Sequence, residues 1–382
     1  MRTPIIGLGT NAWNEQWQTR QHVMAGLSAR GWPACYSTGS FNVWDAGQTN
    51  WRNTGWLSRH DDRDGVRVYK PGRWQMRWPR VAHWDRFILR RHASGLRKLA
   101  GLRGPVPLVY VFHPLFWPLV DALEPERVVY HCDDNFRLMG SWSDELAEME
   151  KSLIARADLI LASSSRMAAA LPGNPSVHLL PNGADAAAFA SFSQCPSDLA
   201  GIPGPRIGYI GGLNDKVDFQ LVADLATRRP EWQWIFIGQR VTEGNLSAET
   251  REGLARCDSF ANVHFLGPRA YRDLPDYVGH MDVNTLCYRS TEGGWWTDVY
   301  PLKLHEYLAT GRPVVGADIE VNREFEKVVA IAGSTDQWVK ALEQALVGGV
   351  GTPAERRQVA AENSWDNRLD QLESWLFEIT GS

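Results

Sequence analysis

The chain has 382 residues, of which 22% are charged and 44% hydrophobic, a length and balance that fit a folded protein of two domains, each with its own core. A formal net charge of −4 gives no global case for nucleic-acid binding. Five widely spread cysteines (Cys35, Cys132, Cys195, Cys257, Cys287) include no C-x-x-C pair, which argues against a disulfide framework or a cysteine-rich zinc site.

The opening MRTPIIGLGTN carries one basic residue and no long apolar run, so it reads as a first strand rather than a signal peptide. No uncharged apolar stretch reaches bilayer length, and the cytoplasm is the expected compartment. Strand-like runs then alternate with helical ones. Pro4–Leu8, Leu108–Phe112, Arg127–His131, Leu159–Ala162 and Val177–Leu180 read as strands, with helices near Arg20–Arg30, Ser143–Arg156 and Ser165–Leu171. Apolar strands with intervening helices imply a parallel sheet covered on both faces.

Within this half, Asp62-Arg63-Asp64 in the charge-rich turn RHDDRDG resembles a D-x-D metal string and is read as chance. Lys70 to Gly104 follows with ten Lys or Arg against a single acid, Asp85, and with tryptophans and a Phe-Ile-Leu cluster interleaved. Such a strip suits an anionic membrane surface or a phosphate-bearing acceptor, while a solvated helix face is the plain alternative. No nucleic-acid module accompanies it. His113 and the run His131-Cys132-Asp133-Asp134 come at the carboxyl ends of two strands, where an open parallel sheet presents its chemistry. Asp133 or Asp134, or His113 near its natural pKa, can act as a base on an acceptor hydroxyl, with helix capping and loop structure as the alternatives. His131 and the two aspartates show no recognisable metal-ligand count, so no metal is expected.

The stretch SFSQCPSDLAGIPGP is rich in Ser, Pro and Gly and lacks a clean period. The boundary is therefore expected near 190–205, with one domain over residues 1–190 and a second over 200–363. A last helix over 364–382 is expected to cross back to the first domain. The second half offers strands at Arg206–Ile210, Trp234–Ile237, Val263–Leu266, Val283–Leu286, Pro313–Gly316 and Val328–Ile331. Its helices fall near Lys216–Arg229, Tyr271–Val278, Pro301–Thr310, Thr335–Leu346 and Pro353–Ser364. Two facing parallel sheets would place chemistry in the cleft between them.

RIGYIGGLNDKVD, Arg206 to Asp218, reads as strand, glycine turn, helix. Gly211 and Gly212 permit close backbone approach and Lys216 opens the expected helix, an arrangement able to cradle a diphosphate or simply to pack tightly. It lacks both G-x-G-x-x-G and G-x-x-x-x-G-K-[ST], which speaks against NAD and P-loop readings. The most informative segment is YPLKLHEYLATGRPVV, Tyr300 to Val315. Pro301 suits the first helical position, Leu304 and Leu308 lie one turn apart, Gly311 can take the left-handed stop, and Pro313 prevents resumption. Lys303 and Glu306 lie on one side near the helix start, suited to a ligand with phosphate and hydroxyls or to a solvated ion pair. Asp298, eight residues before Glu306, could accept from sugar hydroxyls or serve as a near-cap.

With these motifs the chain resembles a GT-B glycosyltransferase with two Rossmann-like domains, close to the glycosyltransferase family 1 and family 4-like proteins of bacterial polysaccharide assembly. The resemblance rests on Asn14–Gly31, on LLPNGAD (Leu179–Asp185), on Arg206–Gly238, and above all on PLKLHEYLATGRPVV, with SWDNRLDQLESWL (Ser364–Leu376) as the returning helix. It implies a nucleotide-sugar donor, a UDP-sugar foremost, held by the second domain, and a glycan or lipid-linked acceptor held by the first. Glu306 matches the second glutamate of the family's E-x7-E pattern, which binds the nucleotide ribose, and Asp298 occupies the first position. Lys216 resembles the diphosphate lysine with spacing one residue short, and Gly212 stands where the family has arginine, so Lys303 is the better-supported phosphate partner. Backbone N–H groups near Gly212 would assist. The family needs no bound metal or cofactor. The implied reaction is glycosyl transfer to an acceptor hydroxyl in cell-surface or exopolysaccharide assembly, retaining or inverting, with Asp133, Asp134 and His113 ranked in that order as bases. The resemblance also fits peripheral association with the inner face of the cell membrane through residues 70–104. A sugar-nucleotide epimerase on the same fold, or a noncatalytic nucleotide-sugar-binding scaffold, are the alternatives.

Overall fold

A computed structural model describes residues 2–381 apart from 15–16, 139, 141, 174, 242–245, 291–293 and 299. Glu15 and Gln16 of the Asn14–Gly31 stretch, and Val299 between Asp298 and Glu306, therefore lie outside the described residues. The chain forms two compact units, Met1–Pro181 together with Arg368–Ser382, and Asn182–Asn367.

The first unit is built on an eight-stranded sheet of β1 (Ile5–Leu8), β2 (Ala34–Ser37), β3 (Arg59–Arg63), β4 (Val66–Lys70), β5 (Val106–Val111), β6 (Pro125–Cys132), β7 (Leu159–Ala162) and β8 (His178–Leu179). Its order is β3-β4-β2-β1-β5-β6-β7-β8. Every pairing is parallel except the β3–β4 hairpin, which turns at Asp64 and Gly65 with φ of 51° and 77°. That Asp-Gly pair supplies the positive φ values a tight hairpin needs. β3 is an edge strand of charged residues, a composition that discourages edge-to-edge pairing and leaves no apolar alternation. The D-x-D string thus straddles this hairpin, with Asp64 accepting from the Trp13 indole at 2.8 Å. β1 and β5 pair directly, and the sheet grows outward from them in both directions, so the strand order reverses there.

The basic strip folds mainly as the helix Ala82–Leu99. Its Leu89, Ala93 and Leu96 enter the first core, and Gly95 lies so close to Tyr69 of β4 that a Cβ would meet the ring. The helix Trp365–Thr380 closes this unit with the residues from Arg368 onward. Leu369 packs on Gly26, the Trp32 indole donates to Glu373 at 2.7 Å, and Arg127 donates to the Ile379 carbonyl at 2.8 Å.

The second unit carries β9 (Arg206–Ile210), β10 (Gln233–Ile237), β11 (Val263–Phe265), β12 (Val283–Leu286), β13 (Val314–Ala317) and β14 (Val329–Ala332). The order β11-β10-β9-β12-β13-β14 is parallel throughout. The strand order reverses between β9 and β12, where Ile207 faces Val283, and the carboxyl ends of two such strands form the usual ligand crevice of an open α/β sheet. The segment expected to be a linker at 190–205 lies inside this unit. Its Leu199 and Ile202 join Phe189 in the second core, and this apolar anchoring outweighs the loop-like composition around them.

Candidate functional site

The helix Leu302–Ala309 is fixed on several sides. Pro301 proves to be the N-cap residue, so the helix proper starts one residue later than expected. Leu304 and Leu308 are fully buried. Between them the Tyr307 hydroxyl accepts from the Ile210 N–H at 2.7 Å and donates to the Ile210 carbonyl at 3.3 Å, tying the helix to the end of β9. Asn182 of LLPNGAD donates to the Tyr300 carbonyl at 2.7 Å just ahead of the helix. At the far end Gly311 takes φ of +77°, while Arg357 and Arg356 donate to the carbonyls of Thr310 and Gly311 at 3.1 and 2.9 Å. Those guanidinium groups complement the negative helix end.

On this mount Lys303 and Glu306 are 8% and 9% exposed, and each takes a tyrosine partner. Lys303 Nζ donates to the Tyr209 hydroxyl at 3.0 Å and lies 4.3 Å from that ring's centroid. Glu306 Oε1 accepts from the Tyr271 hydroxyl at 2.9 Å. The solvated-ion-pair alternative therefore fails: both groups are withdrawn from water. Burial pushes the Lys303 ammonium well below its ordinary pKa, with Lys216 repelling it further and Glu306 and Cys287 acting the other way. Burial likewise raises the Glu306 carboxyl to about 7, opposed by the Tyr271 bond and Lys303 and reinforced by Asp185.

Gly211 follows β9 with φ of +142°, and a Cβ there would strike the Lys303 ammonium. The glycine thus serves the close approach of a charged side chain to the backbone. Gly212 is roomier; a Cβ would meet only Asn214 at 3.6 Å. Lys216 does not open a helix. The helix is Phe219–Arg228, capped by Asp218, which accepts from the Leu221 N–H at 2.9 Å, and a good cap of this type decides where the first turn begins. Lys216 instead lies in a turn laced to the chain beyond β12: the Arg289 N–H donates to the Lys216 carbonyl and the Asp218 N–H to the Cys287 carbonyl, each at 2.9 Å. Gly211, Lys216, Lys303 and Glu306 are thereby gathered at the β9/β12 reversal. Asp298 is half-buried at the end of the 3-10 turn Trp295–Thr297, and its carboxylate accepts from the Thr297 hydroxyl at 3.1 Å. It is not the cap of the following helix.

In the first unit, Asp133, Asp134 and His113 all lie in the field of Arg20, from the helix Thr19–Ala29 after β1. Arg20 grips both Asp133 oxygens at 3.2 Å and also donates to Thr10 and Gln18 at 3.1 and 3.2 Å. Burial works against the Arg20 charge, but Asp133 and Asp134 more than offset it and hold the guanidinium above its ordinary value. Asp133 is thus a buried partner of Arg20 rather than an open base. His113 caps the short turn after β5, its Nδ1 accepting from the Leu115 N–H at 3.0 Å, and burial with the nearby Arg20 lowers its pKa to about 4. The expectation of a histidine near its natural pKa is corrected accordingly. With Nδ1 occupied, the ring proton of the neutral form sits on Nε2, which leaves a donor rather than a base. Asp134, half-buried at the end of β6, retains the better access. His131 is fully buried beside the Tyr110 hydroxyl at 3.0 Å. Among the described residues no group of three or more His, Cys, Asp or Glu side chains is arranged to hold a metal.

Sequence reasoning passed over Arg20, Tyr209 and Tyr271. Tyr209 does sit two residues before Gly211, and Tyr307 directly follows Glu306; Arg20 and Tyr271 have no local signal.

Residues 204–347 match the family described as glycosyl transferases group 1. A putative teichuronic acid biosynthesis glycosyltransferase, TuaH of Bacillus subtilis (strain 168), is 29% identical over 279 residues, covering 67% of this chain and 68% of that protein. The fold is shared with sucrose-phosphate synthase from Thermosynechococcus elongatus (TM-score 0.73, 15% identity, 100% of both chains). It is also shared with Anabaena HepE in complex with UDP and glucose (0.70, 15%, 98% of this chain and 99% of that one). Trehalose 6-phosphate synthase from Burkholderia multivorans matches likewise (0.67, 12%, 100% and 99%). The two Rossmann-like sheets and these likenesses give the chain the GT-B fold, and residues 204–347 relate its second unit to the glycosyl transferases of group 1.

Proposed function

We propose that the second unit holds the donor, with Glu306 accepting hydrogen bonds from ribose hydroxyls and with Lys303, Lys216 and the backbone near Gly212 receiving the diphosphate. The observation that carries this reading is the convergence of two lysines and a buried carboxylate at the strand-order reversal of an open parallel sheet. Asp298 is assigned to the same donor-binding segment, beside the sugar. In the reaction the bond between the anomeric carbon and the diphosphate oxygen breaks and a bond to the acceptor oxygen forms. The two ammonium groups stabilise the charge that develops on the leaving diphosphate. An inverting course sends the acceptor proton to a carboxylate of the first unit, and Asp134 is our choice over the Arg20-bound Asp133. A same-face course passes that proton to the departing phosphate oxygen.

The acceptor we favour is a glycan or lipid-linked hydroxyl in cell-surface polysaccharide assembly, a reading supported by the similarity to TuaH, a putative teichuronic acid biosynthesis glycosyltransferase. The outer face of the helix Ala82–Leu99 supports contact with an anionic membrane at the inner face of the cell: Trp84 and Phe87 are 40% and 51% exposed among Arg86, Arg90 and Arg91. No helix among the described residues is long and apolar enough to cross a membrane.

The test is nucleotide release from a panel of nucleoside-diphosphate sugars, UDP-sugars first, with and without lipid-linked or oligosaccharide acceptors. Acceptor-dependent release with a glycosylated product is the expected result. Interconversion of the donor sugar without acceptor would move the assignment to an epimerase, and binding without turnover to a scaffold.

A further inference from the structure

The chain beyond β12 bears an arrangement that the donor reading does not require. Tyr288 is 2% exposed, and its ring centroid lies 5.6 Å from Lys303 Nζ and 5.7 Å from Lys216 Nζ. Lys303 continues to Tyr209 at 4.3 Å, and Lys216 continues to Trp295 at 5.9 Å. The result is a ladder in which aromatic rings and ammonium groups alternate: Tyr209, Lys303, Tyr288, Lys216, Trp295. Each separation is within the range at which a ring quadrupole attracts a cation.

We propose that Tyr288 is a positioning residue for the two lysines, its shared ring holding both ammonium groups toward one diphosphate. Burial works against the Lys303 charge and Lys216 repels it further, while Glu306 and the Tyr209 hydroxyl act the other way. An aromatic ring shared by both attracts each ammonium to its face and so can align the pair without adding a charge of its own. The backbone reinforces the placement. Val217 bridges Tyr288 in antiparallel fashion, the Arg289 N–H holds the Lys216 carbonyl, and Arg289 donates to Thr250 at 3.0 Å while pairing with Glu249. Thr250 in turn donates to Asp215 at 2.6 Å, next to Lys216. Tyr288 and Lys216 are therefore delivered together by one short two-stranded patch.

This inference rests on the donor reading above, and its test separates the two. Pyrophosphate and UDP are titrated calorimetrically into the full chain. Lys216→Met and Lys303→Met should each weaken both ligands; if neither does, the diphosphate reading itself falls. Tyr288→Phe keeps the ring and should bind pyrophosphate within about twofold of the parent, whereas Tyr288→Leu should lose about tenfold. In the Lys216→Met background the Tyr288→Leu loss should shrink, because the two side chains act as a unit. A folded Tyr288→Leu that binds pyrophosphate as tightly as the parent overturns the proposal, as do losses from Lys216→Met and Tyr288→Leu that simply multiply. Should Tyr288→Leu fail to fold, the half-buried Trp295 carries the test: Trp295→Leu must weaken pyrophosphate, and unchanged binding is equally decisive against the ladder.

Discussion

The Tyr271 hydroxyl donates to Glu306 at 2.9 Å, so the carboxylate assigned to the ribose already holds one directed hydrogen bond inside a buried setting. That bond orients Glu306 and leaves its other oxygen for a ligand. Glu306→Ala should raise the Kd for UDP by about 10- to 100-fold, the loss expected for a charge-assisted contact, with thermal stability retained. Tyr271→Phe should give a smaller loss in the same direction. Calorimetric titration with UDP decides the matter, and unchanged affinity in Glu306→Ala removes the residue from the site.

Burial of Glu306 has a consequence for stability against pH. Its carboxyl titrates at about 7 in the folded chain against an ordinary 4.5. Between those values the folded state keeps a proton that the unfolded state has released, so this group's contribution to stability falls as pH rises from 4.5 to about 7, and its cost is complete above that. Glu306→Gln should therefore raise the Tm at about pH 8 and change it little near pH 4. A Tm gain confined to acid pH would contradict the assignment.

The donor side was the more legible from sequence because its signals are local. Gly311, Pro313 and the Leu304–Leu308 spacing define one short helix, and Lys303 and Glu306 ride on it. Their tyrosine partners were hidden by distance along the chain, Tyr209 and Lys303 being 94 residues apart and Tyr271 and Glu306 35, as was the Arg20–Asp133 pair at 113. No spacing rule reaches that far. β3 escaped notice for another reason, since an edge strand of charges lacks the apolar alternation by which strands are recognised. The stretch at 190–205 misled because its composition is that of a loop while Leu199 and Ile202 are core residues.

Asp133 and Asp134 are adjacent, yet should fail differently. Asp133→Asn strips a buried guanidinium of its charge partner, a change that costs about 3–5 kcal/mol and should lower the Tm sharply. Asp134→Asn should fold normally and lower kcat by roughly 10²- to 10⁴-fold if the enzyme inverts, the span of a lost general base. Melting curves and turnover measured on the same preparations separate these roles. A stable, inactive Asp133→Asn beside an active Asp134→Asn would return the base to Asp133.

Gly211 and Gly212 offer a paired test of how the lysine is seated. Alanine at 211 must adopt φ near +142° and place its Cβ against the Lys303 ammonium, whereas alanine at 212 meets only Asn214 at 3.6 Å. Gly211→Ala should carry strain of about 1–3 kcal/mol and raise the donor KM by roughly tenfold or more. Gly212→Ala should keep the parental Tm. Equal Tm and KM for the two variants would show that Lys303 does not depend on the space beside Gly211.

The helix Ala82–Leu99 makes the membrane reading testable residue by residue. Trp84 and Phe87 pack together at 5.9 Å between ring centroids on its outer face, and the exposed Trp78 and Val81 precede them. Arg80, Arg86 and Arg90 are exposed there too, whereas Arg97 donates to the Leu123 carbonyl at 2.6 Å and is occupied in the fold. Each exposed arginine near an anionic surface contributes about 1 kcal/mol, so replacing Arg80, Arg86 and Arg90 by Gln should weaken binding to phosphatidylglycerol-containing vesicles roughly 100-fold. Trp84→Ser with Phe87→Ser should leave salt-sensitive attraction but remove the part that survives high salt, because only the rings enter the interface. Vesicle flotation at low and high salt distinguishes the two contributions. If the arginine variant floats with anionic vesicles as the parent does, the basic face is solvated and the acceptor must reach the enzyme by another surface.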